Sequence, residues 1–227
     1  MISLSNRDLT LLCDEMSFMF HKIFNIGLPK TGTTSLNQAL LELGFKSIHN
    51  PKAFRKQTLE GRYHFDRDDW QAITNFGEHF YPQLDQAYPH SKFILTVRDE
   101  TTWLNSWQKQ IGDTSGDESR TRWAWTQPVK KWLRLLQSIL DNELHMSHQL
   151  SRLDIFGTYK FNADRCLYVY RLHRKNAEAY FQDRPQDFLI MDICAGDGWE
   201  KLCPFLEIPE IPNVPFPFKR PEKAPFA

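Results

Sequence analysis

The chain has no surplus of charge of either sign. Lys plus Arg number 28 and Asp plus Glu number 28 among its 227 residues. The broad basic footprint of a nucleic-acid-binding domain is therefore missing, although zero net charge leaves room for a local positive pocket. Cysteine is scarce. Cys13, Cys166, Cys194 and Cys203 form no C-x-x-C pair and no zinc-ligand spacing. They are expected as buried, reduced thiols rather than as a disulfide frame or a metal cluster. Long apolar runs are missing as well. "LLCDEMSFMFHKIFNIGL" near the N-terminus is interrupted by Asp14, Glu15, His21 and Lys22, which excludes a membrane span and a signal sequence there. The expectation is a cytoplasmic chain with no anchor, no membrane partner and no nucleic-acid partner. It shows no internal repeat, and 227 residues suit one sizeable domain better than two.

Glycine is sparse too, at 10, so a stretch that spends two of them close together stands out. "IGLPKTGTTSL" (26–36) places Gly27 and Gly32 with four residues between them. A nucleoside-triphosphate loop has this glycine spacing but follows the second glycine with Lys and then Ser or Thr. Here Thr33 and Thr34 follow, and the lysine stands earlier, at Lys30.

The surroundings predict an α/β fold. "KIFNIGL" (22–28) is a short apolar run that reads as a buried strand. "TSLNQALLELGF" (34–45) puts Leu36, Ala39, Leu40 and Leu43 on one helical stripe, which Gly44 ends. The glycine loop thus joins a strand to a helix. "FKSIHN" (45–50) reads as a second strand and "AFRKQTLEG" as a helix; 63–77 is ambiguous, with a strand end inside it. "EHFYPQLDQAYP" (78–89) reads as a helix despite Pro82. "KFILTVRDE" (92–100) is the clearest strand, apolar or β-branched from Phe93 to Val97, as in a sheet covered on both faces. A helix follows, with Thr101 or Thr102 as its N-cap. Residues 112–120 form a polar hinge, and 121–182 are helical and rich in aromatics, Trp123, Trp125 and Trp132 among them. "DFLIMDI" (187–193) is another strand. "GDGWEKLCPFL" (196–206) is a helix capped by Asp197, and a proline-rich extended tail closes the chain. Strands alternating with helices give a three-layer fold, a parallel sheet flanked by helices, of the type found in phosphate-loop NTPases. The core runs over about 22–111 and 183–218, and a helical aromatic lid over about 112–182, all within one domain, 1–227. Ligands in such sheets bind at the carboxyl ends of strands, so the loop at 27–35 and the residues after Val97 should lie together.

The loop residues suit a tetrahedral anion. Backbone N–H groups lead into a helix N-terminus, which binds such a group unaided. Thr33, Thr34 and Ser35 add hydroxyls, and Lys30 adds a charge where a leaving oxygen becomes negative.

"PKTGTTSL" resembles the 5′-phosphosulfate loop of the sulfotransferases that use 3′-phosphoadenosine 5′-phosphosulfate (PAPS). "VRDETTWLNSW" resembles their second signature, with Arg98 at a strand end and Ser106 eight positions on. The C-terminal "DRPQDFLIMDICAGDGWEKLCPFLEIPEIPNVPFP" is similar to the closing segment of a bacterial and eukaryotic branch, so the likeness runs from about 22 to 218. The resemblance implies that Pro29, Lys30, Thr31, Gly32, Thr33, Thr34 and Ser35 hold the 5′-phosphosulfate, and that Arg98 and Ser106 grip the 3′-phosphate. A guanidinium with a hydroxyl is good chemistry for that dianion. It further implies transfer of a sulfuryl group to a small organic acceptor, release of 3′-phosphoadenosine 5′-phosphate (PAP), and no metal requirement. It accounts for the position of Lys30, which in this family reaches the oxygen bridging phosphate and sulfate.

One part of the pattern breaks. Many members carry His or Asp as the acceptor-side base where this chain has Asn75, in "TNFG". Other branches place a carboxylate at the end of the second strand, and here that position offers His49. An imidazole has a suitable pKa for the task. His64, Asp66, Asp68 and Asp69 are further candidates. A nitrogen acceptor attacks through its lone pair and needs a base less, so Asn75 is also compatible with N-sulfation. The acceptor pocket is expected from residues 64–80 and the aromatic helices. Two other readings compete: a phosphate-loop kinase or NTPase, disfavoured by the missing lysine after Gly32, and a catalytically inactive nucleotide-binding module.

Overall fold

The computed structural model describes residues 22–66, 68–112, 152–158 and 160–218. Five strands, β1 (Ile23–Asn25), β2 (Ser47–His49), β3 (Ala72–Thr74), β4 (Lys92–Thr96) and β5 (Phe188–Met191), form one sheet in the order β2-β3-β1-β4-β5. Every pairing is parallel. The helices are α1 (Thr33–Glu42), α2 (Lys52–Leu59), α3 (Tyr81–Ala87), α4 (Glu100–Gly112), α5 (Ala163–Tyr180) and α6 (Trp199–Phe205). This is the expected α/β architecture of a parallel sheet between helical layers. Residues 1–21, the hinge beyond Gly112, and Trp123, Trp125 and Trp132 lie outside the described residues.

The backbone divides into two units, Met1–Asp99 with His173–Ala227 and Glu100–Leu172. In the first, the two-residue period of a strand sorts side chains between two cores. Ile23, Ala72, Ile94 and Met191 face one side, against Leu36, Ala39 and Leu40 of α1, its C-cap Leu43, and Trp199, Leu202 and Cys203 of α6. Phe24, Ile73, Phe93 and Leu95 face the other, against Phe54 of α2, Tyr81 and Leu84 of α3, Ala177 of α5 and Phe181 just past its end. With both faces covered, the middle strands are apolar at nearly every position. The buried polar residues in them stand at strand ends, Asn25 in β1, Thr74 in β3, and Lys92 and Thr96 in β4.

In the second unit, Trp103 and Trp107 of α4 meet Phe156, with ring centroids 6.3 and 5.1 Å away, and Trp103 meets Tyr170 of α5 at 4.5 Å. Arg171 closes this packing with an ion pair to Glu100 at 2.6 Å.

Several boundaries differ from the sequence reading, each for a local reason. Helix α3 starts only at Tyr81, and Pro82 sits in its first turn. The missing N–H costs nothing there, so the proline starts this helix instead of interrupting it. Helix α4 starts at Glu100, which puts Thr101 and Thr102 inside the first turn instead of at the cap; the Glu100 carboxylate supplies the charge that a helix N-terminus favours. Asp197 does not cap α6. The cap position is Gly198, while Asp197 accepts from the Asp192 N–H at 2.7 Å and from Lys201 Nζ at 2.8 Å. The tail is anchored by Trp199, whose indole N–H donates to the Val214 carbonyl at 2.8 Å and whose ring meets Phe216 at 4.7 Å.

Phe181 is the keystone of the second core. It stacks on Phe188 at 4.8 Å and touches Phe93 at 4.8 Å while 1% exposed. Phe181→Ala should lower unfolding stability by about 3–5 kcal/mol, read as a shift in urea midpoint at unchanged slope. A shift below about 1 kcal/mol would mean that α5 does not depend on this contact.

Candidate functional site

Strand order places the site. Strand β1 connects away to β2 on one side, and β4 connects to β5 on the other, so the crevice between the carboxyl ends of β1 and β4 is the topological switch point. The glycine loop leaves β1 there and Arg98 follows β4. As expected, the two meet: Arg98 Nη1 donates to the Lys30 carbonyl at 3.3 Å.

The loop is held from beneath by a directional chain of hydrogen bonds. Asn25 Nδ2 donates to Thr96 Oγ1 at 3.0 Å and to the Ile94 carbonyl at 3.0 Å. Thr96 and Thr31 hydroxyls lie 2.7 Å apart, and Thr31 donates to the Leu28 carbonyl at 2.6 Å. A hydroxyl has one proton, so Thr96 donates to Thr31. With its proton committed and its side chain fully buried, Thr31 has only its backbone N–H left for a ligand. Gly27 lies against the same threonine: a Cβ there would stand 2.0 Å from Thr96 Oγ1 and 2.6 Å from the Thr96 carbonyl oxygen.

Above this floor the backbone reverses twice, at Lys30 (φ 75°) and Gly32 (φ 100°). For lysine that conformation costs on the order of 1 kcal/mol. Gly32 is also the N-cap of α1 and, having no side chain, gives it no side-chain cap. The first-turn N–H groups of a ten-residue helix therefore open toward the loop, the arrangement that takes an anion. Thr33 and Ser35 are buried and Thr34 is exposed. Ile193, just beyond β5, closes the far wall: its Cβ would lie 3.2 Å from a Cβ on Gly32.

The electrostatics favour the same ligand. Burial, and then the neighbouring Arg98 guanidinium, push the Lys30 pKa below its usual value. Each of these two half-buried cations disfavours the charge on the other, and an anion bound beside them would offset that. A phosphosulfate fits this donor set. Ser106 lies half-buried on α4 within the second unit, whereas Arg98 belongs to the first.

The acceptor-side candidates separate by position. His49 ends β2 and is in register with Thr74 at the end of β3, with Asn75 next. These lie at the carboxyl edge. His64, Asp66, Asp68 and Asp69 precede β3 and lie at the opposite edge: Asp66 pairs with Arg62 at 3.2 Å, His64 stacks on Tyr88 at 5.2 Å, and neighbouring Trp70 offers its carbonyl to Lys22 at the start of β1. The His49 pKa is lowered by burial first and by Arg55 second. His49 Nδ1 is 2.8 Å from Thr74 Oγ1, which donates to Asn37 Oδ1 of α1 at 3.2 Å.

Four residues here carry no sequence motif. Arg55 donates to the Asn75 carbonyl at 2.6 Å and pairs with Glu78 at 3.1 Å. Glu78 is fully buried, and its Oε2, like Asn75 Oδ1, has no protein hydrogen-bond partner. The Asn75 N–H reaches Asn25 Oδ1 at 3.2 Å. His173 donates from Nε2 to the Ile26 carbonyl at 2.7 Å, which fixes its tautomer; burial lowers its pKa. Asn25 alone was detectable, as a polar residue inside an apolar strand. Arg55, Glu78 and His173 come from segments whose convergence only the fold reveals.

Gly27→Ala should destabilise the protein by about 3 kcal/mol, because the methyl meets β4 backbone that cannot yield. Urea unfolding checks this, and a variant as stable as the wild type would refute the close approach.

Comparison with known proteins agrees with this geometry. Over 222 residues the chain is 26% identical to the "Ava biosynthesis cluster protein M" of Aspergillus versicolor, covering 86% of this chain and 79% of that protein. The family profile described as "Sulfotransferase domain" matches residues 22–224, which takes in the loop, both edges of the switch point and the tail. The chain belongs to the sulfotransferase domain family.

Proposed function

We propose that the protein transfers a sulfuryl group from PAPS to a hydroxyl or amine nitrogen of a small organic acceptor, releasing PAP. The observation that carries this reading is the pairing of Lys30 and Arg98 at an uncapped helix N-terminus. Bound there, PAPS supplies an activated sulfuryl group on a phosphate leaving group. The backbone from Pro29 to Ser35 positions the 5′ end, and Lys30 offsets the negative charge that collects on the departing oxygen. Arg98 with Ser106 takes the 3′-phosphate. Positioning and charge stabilisation supply most of the rate, as in phosphoryl transfer, and no metal ion is required. His49 accepts the proton of a hydroxyl acceptor. An amine attacks through its lone pair and leans on His49 less, which is what an amide at Asn75 permits. The word "biosynthesis" in the Aspergillus relative's name supports a small-molecule acceptor, and we place the reaction in the cytoplasm.

Calorimetric titration with PAP, against ATP plus Mg²⁺, tests the donor. PAP should bind and ATP–Mg²⁺ should not, and Arg98→Ala should weaken PAP by about 10²-fold, near 3 kcal/mol for a charged hydrogen bond. Preference for ATP–Mg²⁺ would point to a kinase or NTPase; binding of neither would point to an inactive module.

The acid limb of turnover tests the base. Both causes acting on His49 favour its neutral form, so its folded pKa lies below 6.5. The ring is then neutral at pH 7, and only acidification past the lowered pKa protonates it. With a hydroxyl acceptor, kcat should be level around pH 7 and fall with a midpoint under 6.5. His49→Ala should lose about 10²–10⁴-fold in kcat at unchanged PAP affinity. Undiminished turnover would remove His49 from the mechanism.

A further inference from the structure

We propose that Thr74 and Asn37 hold His49 in the tautomer protonated at Nδ1, so that Nε2 is the nitrogen that accepts the acceptor proton. The proposal rests on the reading of His49 as the base, and makes Thr74 and Asn37 positioning residues for it.

The argument is a count of protons. Thr74 is fully buried, so water does not compete for its hydroxyl. That hydroxyl has two polar neighbours, His49 Nδ1 at 2.8 Å and Asn37 Oδ1 at 3.2 Å. A carbonyl oxygen can only accept, so the single hydroxyl proton goes to Asn37. Thr74 Oγ1 then has only lone pairs to offer His49, and Nδ1 must carry the hydrogen. Ser47 supplies a second, independent constraint. Its hydroxyl also donates to Asn37 Oδ1, at 2.8 Å, so two donors converge on one oxygen and orient the amide. The proton order is His49 Nδ1–H to Thr74, Thr74 to Asn37, and Ser47 to Asn37. The step at the exposed end balances simply. As the acceptor oxygen bonds to sulfur, the bond from sulfur to the bridging oxygen of PAPS breaks and its electron pair leaves with PAP; the acceptor O–H bond breaks, the proton bonds to His49 Nε2, and the resulting imidazolium carries both N–H groups.

The chain reaches across the fold. Asn37 lies on α1, one turn after the residues that open the anion site, whereas His49 and Thr74 end β2 and β3. One helix thus presents the donor-binding N–H groups at its start and fixes the base a turn later. Arg55 disfavours imidazolium while the site waits for substrate, which suits a base that must be neutral beforehand.

The tautomer can be read directly in the full-length protein. Two-bond ¹H–¹⁵N correlation spectra of protein labelled at histidine distinguish Nδ1–H from Nε2–H rings, and His49→Gln assigns the signal by its loss. The wild type should show a single Nδ1–H pattern for His49. Thr74→Val should abolish that single pattern and lower kcat about 10-fold or more, a share of the general-base contribution, with PAP affinity within twofold of wild type. Thr74→Ser keeps the hydroxyl and should restore the pattern and most of kcat. An Nε2–H pattern in the wild type would mean that the Asn37 amide is turned around and every donor reversed, which overturns the proposal. So would Thr74→Val with wild-type kcat. An Nδ1–H pattern combined with full turnover in His49→Gln would instead sink the catalytic reading on which the proposal rests. Loss of PAP binding by the wild type would sink the cofactor reading, a separate failure visible in the same titration.

Discussion

The close approach of Gly27 to Thr96 governs this site. A loop that must turn its N–H groups inward has to descend onto the neighbouring strand, and only a residue without a side chain lets β1 and β4 come so near. Asn25 makes the approach stable. Its amide feeds a chain through Thr96 and Thr31 to the Leu28 carbonyl, while its Oδ1 takes the Asn75 N–H. One buried amide therefore registers three strand ends against each other. A buried polar side chain is costly unless satisfied; here it is satisfied in every direction, and the loop inherits its rigidity. The left-handed turn at Lys30 persists because Thr31, the next residue, is pinned on this floor.

Rigidity matters because the ligand chemistry asks for charges that repel one another when no ligand is present. Lys30 and Arg98 sit together, half-buried, at the positive end of a helix. A flexible loop would relax by swinging Lys30 into solvent. The Arg98 contact to the Lys30 carbonyl and the fixed floor oppose that escape. In the proposed reaction an anion bound there would offset that repulsion, and charges already in place need no reorganisation during the step.

Much of this could be read in the sequence because the sheet is parallel and the signals are local. The apolar run in β4 and the stripe of Leu36, Leu40 and Leu43 are periodicities that tertiary packing reinforces, and loop, strand and helix follow one another in "IGLPKTGTTSL". Boundaries were less legible where one residue serves two purposes. Pro82 reads as a breaker but starts α3, and Asp197 reads as a cap but ties Lys201 to the loop after β5. The acceptor side was least legible. Residues 64–69 look chemically rich in the sequence, yet the parallel order of β1 and β3 carries them to the wrong end of the sheet. Arg55, Glu78 and His173 come to the carboxyl edge from separate elements, with no spacing rule to announce them.

The absence of a proton acceptor at position 75 follows from the same packing. Asn75 holds a left-handed backbone, φ 55°, a conformation that asparagine tolerates better than most residues. Its carbonyl is taken by Arg55 and its N–H by Asn25, so the residue works through its backbone as a corner between β3 and α3. Arg55 already has a buried carboxylate partner in Glu78. The Asn75 side-chain oxygen is buried with no protein hydrogen-bond partner, and an ionised carboxylate left unpaired in that place would be costly. The uncharged amide is the compatible choice at the end of β3. In the proposed reaction the task of accepting a proton falls to the next strand end, where His49 sits beside Thr74, in register with it and within hydrogen-bonding reach.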